Sequence, residues 1–243
     1  MLVFIVVITT ILICYETSSG HSQGIPFVQT EPMATPTLSD SRDLSKYGIL
    51  DYSEASGSQT QARFSANKRY DKQDWVYKVI NNPNTGGVGR VTDDPAQPLF
   101  PVEASSLIVV GELAAVKAFL SNDRGSVYSE FTIQVNEVLK NADGKPLPKS
   151  LTADRAGGVV VYPTGQRVLY SDSDKELPTP GTQYLLFLAK PDESPNFAIL
   201  TSYELRGNRI RQMEIGQSFD EFKGMDRASF LAGIRAKISQ VIK

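Results

Sequence analysis

The run 127–136 constrains the fold most, because Val127, Phe131, Ile133 and Val135 alternate with Tyr128, Glu130, Thr132, Gln134 and Asn136. Period-two alternation sends apolar side chains to one face and polar ones to the other, which a half-buried strand requires. Upstream, 107–120 is rich in Leu, Ile and Val, and Ser121 to Gly125 (SNDRG) supplies a turn, so the two runs predict a long hairpin. Gly111 in its first arm marks a bulge or bend of the kind that lets a sheet curl. Further short apolar runs follow at 151–153, 159–162 with a return near Val168, 183–188, 198–203 and 210–215.

Each boundary carries a turn signal: Asp143-Gly144, Gly157-Gly158, Thr164-Gly165, Pro180-Gly181, Ser194-Pro195-Asn196 and Gly207-Asn208. No helical period intervenes, so the pattern predicts a mainly β domain, a small antiparallel barrel or sandwich rather than a βαβ fold. The end of the chain differs. Phe230, Leu231, Ile234, Ile238, Val241 and Ile242 recur at helical spacing, and Ser218-Phe219-Asp220-Glu221 has the form of a capping box. An amphipathic helix over 216–243 is expected to pack on the barrel; a membrane-surface or partner-binding helix, helped by Arg235 and Lys237, is the alternative.

The N-terminal residues MLVFIVVITTILIC are almost wholly apolar, too short for the roughly 20 residues of a spanning helix and suited to the core of a signal peptide. Residues 1–20 are therefore expected to be an export signal or hydrophobic anchor, with Ser18 and Gly20 as small residues before a cut near His21. The protein is expected to be extracytoplasmic, secreted or periplasmic, and to touch a membrane only through 1–14, if uncleaved. No Lys or Arg precedes Arg42, so the basic start of a signal is missing, as an initiation codon assigned too late would produce. Cys14 follows Ile13, where a lipoprotein signal wants a small residue.

Residues 21–68 are rich in Ser, Thr, Gln, Gly and Pro without a sustained apolar period, and read as a disordered polar linker. In the approach segment 69–104, Trp75, Val76, Val79 and Ile80 are spaced for one side of a short helix; a helix or strand docked on the barrel is expected, with a peptide carrying an aromatic anchor for a partner as the alternative. Asn81 to Gly89 (NNPNTGGVG) then reads as a loop.

Composition narrows the chemistry. The only cysteine, Cys14, and the only histidine, His21, both lie ahead of the folded part. Serine and cysteine triads and ordinary zinc catalysis then lack their residues, and no disulfide can form within the chain. A formal charge of −2 argues against a nucleic-acid surface. No cofactor is expected.

The segments SSLIVVGEL, SEFTIQVNEVLK, GGVVVYP, PGTQYLLFL and ILTSYELRGNRI together resemble uncharacterised secreted bacterial proteins. Their domain is similar to the oligonucleotide/oligosaccharide-binding (OB) barrel, in the variant shared with netrin modules and tissue inhibitors of metalloproteinases (TIMP). The resemblance spans 105–215. It implies a five-stranded Greek-key barrel with a binding role. Inhibitors of that type chelate zinc through an N-terminal cysteine, which this chain lacks ahead of the barrel, so inhibitor activity is not implied.

Three motifs are set aside. Ser65-Ala66-Asn67-Lys68 matches S-x-x-K, but Ser121-Asn122-Asp123 has the wrong order for S-D-N and Pro163-Thr164-Gly165 lacks the lysine of K-T-G. Ser171-Asp172-Ser173-Asp174 lacks the glycine and distal glutamate of a calcium loop. Gly86-Gly87-Val88-Gly89 precedes Asp93-Asp94-Pro95 rather than a helix, so it is no phosphate cradle.

One constellation remains. Arg206, Arg209 and Arg211, with Asp154, Arg155 and Tyr203, are the candidate ligand-binding residues, where guanidinium groups would line a site for an anion or glycan acid; a solvated face with ion pairs is the bland alternative. The expected function is a non-enzymatic binding module at the cell envelope with protein or carbohydrate as partner. The alternatives are a hydrolase using two of Glu112, Glu130, Glu137 and Asp154, and a structural assembly subunit.

Overall fold

In the computed structural model the described residues are 44–53, 59–72, 76–79, 86–88, 98–171, 175–214, 222 and 224–241. In chain order they form a single 3-10 turn (Leu44–Lys46), β1 (Ile49–Asp51), α1 (Gln61–Lys68), β2 (Val76–Val79), β3 (Gly86–Val88), β4 (Leu107–Leu120), β5 (Val127–Asn141), β6 (Ser150–Ala156), β7 (Gly158–Val161), β8 (Arg167–Ser171), β9 (Gln183–Ala189), β10 (Phe197–Arg206), β11 (Arg209–Gln212) and α2 (Arg227–Val241).

The expected hairpin is β4–β5, paired from Leu107↔Asn141 to Leu120↔Val127. β6 joins β5 antiparallel, β10 joins β6 in parallel through Phe197↔Ala153, and β9 bridges β10 and β4 antiparallel. The ring β4-β5-β6-β10-β9 returns to β4, and β11 extends it from β10. This is the OB-like Greek-key barrel. Closure requires β4 to pair on both edges while bending, and its pairing with β5 shifts register at Ile108/Val109, Val110/Gly111 and Leu113/Ala115. At Gly111 a Cβ would lie 2.6 Å from Ile133 Cγ2 and 2.9 Å from the Gln134 carbonyl oxygen, so the backbones approach more closely there than a side chain allows.

Alternation then sorts the core. Leu107, Val109, Leu113, Phe131, Ile133 and Leu186 belong to one cluster, whereas Ile108, Val110, Leu185 and Phe187 pack with Phe230, Leu231, Ile234 and Ile238 of α2. The start of β4 and the middle of β9 are thus covered on both faces, which is why Leu107 to Val110 and Tyr184 to Leu188 are unbroken runs of buried apolar side chains. Each of the four buried α2 side chains contributes about 1.5–3 kcal/mol by leaving water. The helix starts later than the capping pattern suggests: Asp226 is its cap, accepting from the Ser229 amide at 3.0 Å and the Ser229 hydroxyl at 2.8 Å. Of the expected capping box, Ser218 to Glu221, nothing lies within the described residues.

A second sheet, β1-β7-β8-β2-β3, joins the barrel through the cluster of Leu50, Ala118, Leu120, Val127 and Val160. The chain passes from β6 into β7 at Gly157 (φ +113°) and Gly158 (φ +152°), backbone conformations that need glycine. Three expectations are corrected here. Residues 44–68 are not all linker, because β1 pairs in parallel with β7 and α1 forms a helix; main-chain pairing and polar anchoring hold them, neither of which requires an apolar period. Val76–Val79 takes the strand form of the docked segment, pairing with β8, and not the short helix its spacing suggests, and Gly86–Val88 pairs with it where a loop was expected. Residues 1–43, including Cys14 and His21, lie outside the described residues, as does Trp75.

Gly111→Ala is expected to destabilise the domain by about 1–3 kcal/mol, since the added methyl must displace Ile133 or the β5 backbone. The check is the urea unfolding midpoint, and an unchanged midpoint would refute the tight closure.

Candidate functional site

The β10–β11 hairpin sets Tyr203 opposite Gln212, Glu204 opposite Arg211, Leu205 opposite Ile210 and Arg206 opposite Arg209. Leu205 is buried and Ile210 packs against the same cluster as α2, so alternation places Glu204, Arg206, Arg209 and Arg211 on the other face. These four line a cavity of about 860 Å³ with Glu112 of β4, Thr179 and Thr182 ahead of β9, and Gln183, which opens β9. The three candidate arginines therefore line one cavity. The hairpin tip is fixed from below, because Asn208 Oδ1 accepts the amide of Arg227 at 3.3 Å.

The arginines are not equivalent. Arg211 donates to Glu204 (Nε to Oε2, 2.8 Å) and to Glu176 (Nη1 to Oε2, 2.6 Å). Its burial works against the charge, but these carboxylates outweigh that and hold its pKa above the ordinary value. Arg206 and Arg209 are exposed and have no ion-pair partner among the described residues, although they face each other directly across the strands. Like charges in that position repel.

Asp154, Arg155 and Tyr203 lie elsewhere, and the reason is parity. Asp154 and Arg155 are neighbours in β6 and point to opposite sides; Tyr203 and Glu204 do the same in β10. Tyr203 is fully buried, with its hydroxyl donating to the Leu99 carbonyl and its ring 5.3 Å from Phe100 and 5.4 Å from Phe230. Arg155 forms a buried ion pair with Glu214 (Nη2 to Oε1, 2.7 Å) and donates to the Glu176 carbonyl at 2.9 Å. It ties β6 to the segments around residues 176 and 214. Asp154, its side chain wholly buried, meets Arg69 and accepts the Tyr70 hydroxyl at 2.6 Å. Burial raises its pKa, against the opposing pull of Arg69 and the Tyr70 hydrogen bond.

The four candidate acids do not assemble as a hydrolytic pair open to solvent. Glu130 and Asp154 are cross-strand neighbours, but Arg63 holds Glu130 and Arg69 holds Asp154. Glu137 pairs with Arg235 at 2.6 Å. Only Glu112 reaches the cavity, where the other carboxylate, Glu204, is engaged by Arg211. Among the described residues no group of three or more acidic, His or Cys side chains gathers as a metal site. What the sequence left unseen is the partnership of Arg63, Asn67, Arg69 and Tyr70 with β5 and β6, since contacts made at a sequence distance of 61 to 85 residues leave no local pattern.

Arg155→Ala is expected to destabilise the fold by about 3–5 kcal/mol, because it leaves the Glu214 carboxylate buried without its counter-charge. Adding Glu214→Gln should recover part of that loss in urea unfolding, and no recovery would contradict the pairing. For Asp154 the pH dependence is opposite to that of an ordinary salt bridge. A raised folded value means that the folded state holds the proton more tightly, so this contribution is fully present below the unfolded value near ~4 and is lost as pH rises through the folded one. The stability of the unsubstituted chain relative to Asp154→Asn should therefore be greatest in acid and fall as pH rises above the unfolded value. A rise would contradict the dominance of burial. Comparison of the chain with protein-family models, with curated proteins and with solved structures finds no match.

Proposed function

We propose that the chain is an extracytoplasmic, non-enzymatic binding module that holds an acidic carbohydrate in the β10–β11 cavity. The observation that carries this reading is the Arg206–Arg209 pair, two cations directly opposed across a hairpin and without an ion-pair partner among the described residues. Such a pair weakens the hairpin by itself, and a bound carboxylate offsets the repulsion. Guanidinium groups match a carboxylate in two parallel hydrogen bonds. Beside them Glu112, Thr182 and Gln183 offer acceptors and donors suited to sugar hydroxyls. The volume lies in the range of small-ligand sites.

Placement at the cell envelope rests on the apolar run at residues 1–14. The binding role also agrees with what the resemblance to netrin-like and TIMP-like barrels implies. Among the described residues that line the cavity, the one acid not bound to an arginine is Glu112, whereas a glycosidase of the usual kind needs two.

Calorimetric titration of the full chain with a uronic-acid oligomer and with a neutral oligosaccharide of equal length tests the proposal. The acidic oligomer should bind, more weakly as salt rises, and Arg206→Ala/Arg209→Ala should weaken it by about tenfold or more. Equal binding of the neutral oligomer, or no loss in the double variant, overturns the assignment; cleavage of the oligomer overturns its non-enzymatic part.

A further inference from the structure

The hairpin cavity is not uniformly basic. Among the described residues three arginines and two glutamates line it, and one of each cancels, because Arg211 is held by Glu204 at 2.7 and 2.8 Å. Arg206, Arg209 and Glu112 remain, two cations and one anion. All three are exposed, and none has an ion-pair partner among the described residues.

Opposite charges that share a cavity without meeting need a physical reason, and the topology supplies it. Glu112 is on β4, directly opposite Gln183 of β9, and β9 lies between β4 and β10. Neighbouring strands are about 4.8 Å apart, so about 10 Å separates the backbone of β4 from that of β10, and β11 is one strand further. Pairing of β9 with β10 reaches Tyr184↔Glu204, and Arg206 and Arg209 lie on the hairpin beyond it.

The walls that keep the two signs apart are fixed. The turn ahead of β9 is tied to β4 twice, the Leu113 amide donating to the Thr182 carbonyl at 3.0 Å and the Gly181 amide to the Leu113 carbonyl at 2.7 Å. Gly181 takes φ +74°, a conformation that favours glycine. The Thr179 amide donates to the Tyr184 hydroxyl at 2.9 Å, and on the other side Arg211 links the hairpin to Glu176. Gln183, the residue opposite Glu112, is engaged elsewhere, since its amide donates to Asn136 at 2.9 Å. The Glu112 carboxylate is thus an acceptor that no described side chain satisfies.

We infer that the cavity selects a ligand of both signs: an acidic carbohydrate that also carries a free amino group, with its carboxylate on Arg206 and Arg209 and its ammonium on Glu112. This rests on the acidic-carbohydrate reading and narrows it. Backbones about 10 Å apart suit charged groups on neighbouring sugar units, not the two groups that an α-amino acid holds on one carbon. A ligand with carboxylates alone meets Glu112 as a repelling charge, and a purely cationic one meets the arginines. The arginines supply affinity, and Glu112 determines specificity.

Two probes isolate the amine: tetrasaccharides of alternating glucuronic acid and glucosamine, one with free amines and one with the amines acetylated. Their carboxylates are identical. Calorimetric titration of the full chain, at a pH that keeps the amines charged, should show the free-amine probe binding about fivefold more tightly, the effect of one added solvent-accessible ion pair. The preference should shrink as salt rises. In Glu112→Gln the ratio of the two dissociation constants should fall to about one, and in Glu112→Lys it should invert. Both variants should keep the urea midpoint of the unsubstituted chain, because the Glu112 side chain bonds to none of the described residues; a lowered midpoint would give Glu112 a structural partner and overturn the inference. Equal binding of the two probes by the unsubstituted chain, or tighter binding of the acetylated one, overturns it as well and leaves the acidic-carbohydrate reading standing. So does a preference that survives Glu112→Gln, since the acetyl group rather than the charge then sets it. If neither probe binds, the acidic-carbohydrate reading itself fails and this inference falls with it.

Discussion

The double pairing of β4 is the constraint on which the remaining structure depends. One strand must bond to β5 along its whole length and to β9 along its first half, and it does so by shifting register and by passing Gly111 close against Ile133 and the β5 backbone. Once β4 is shared in this way, β9 draws β10 round until its first residues, Phe197 and Ala198, meet β6 in parallel at Ala153 and Asp154, which closes the ring. Closure also separates two apolar populations on the same strands. One set packs with Phe131 and Ile133, and the other has no partner until α2 lies across it.

Charge is distributed by the same geometry. Taking a carboxylate out of water is expensive unless a cation goes with it, and the three acids buried or half-buried around β5 and β6 each have an arginine: Glu130 has Arg63, Asp154 has Arg69 and Glu214 has Arg155. Two of these arginines come from the strap that residues 60–72 lay over β5 and β6, and one from β6 itself. The strap is therefore as much a solution to the charge of the barrel surface as a covering of it, since two of the three counter-charges enter from outside the barrel strands.

Legibility in the sequence followed the length scale of the interaction. The hairpin of β4 and β5 was readable because alternation is a local property; the strand runs past its expected end to Asn141 because pairing with β4 continues where only Val138 and Leu139 interrupt the polar residues. The buried face of α2, with Phe230, Leu231, Ile234 and Ile238, was readable for the same reason at a different period. α1 was not. It buries Ala66 and Asn67 and is anchored by residues far along the chain, so its sequence resembles a linker. The arginines of the hairpin were legible as a group because Arg206, Arg209 and Arg211 flank a single turn. Their supposed neighbours were not theirs, and parity already separates Asp154 from Arg155 and Tyr203 from Glu204; what parity cannot supply is the register that brings Glu130 opposite Asp154.

These facts also limit where a ligand can meet the barrel. The outward faces of β4 and β9 are occupied by α2, and the ends of β4 and β5 pack on Leu50 and Val160 of the second sheet. Two further faces of the described barrel carry charged groups in opposed pairs, the β5–β6 face under the strap and the hairpin face of β10 and β11. The two differ in sign and in state. One offers paired acids already satisfied by cations from the same chain, and the other offers opposed cations that nothing described satisfies. Opposed cations gain from a carboxylate that reaches them and acids already paired with arginine do not, so charge alone directs an anionic group to the hairpin face rather than to the β5–β6 face.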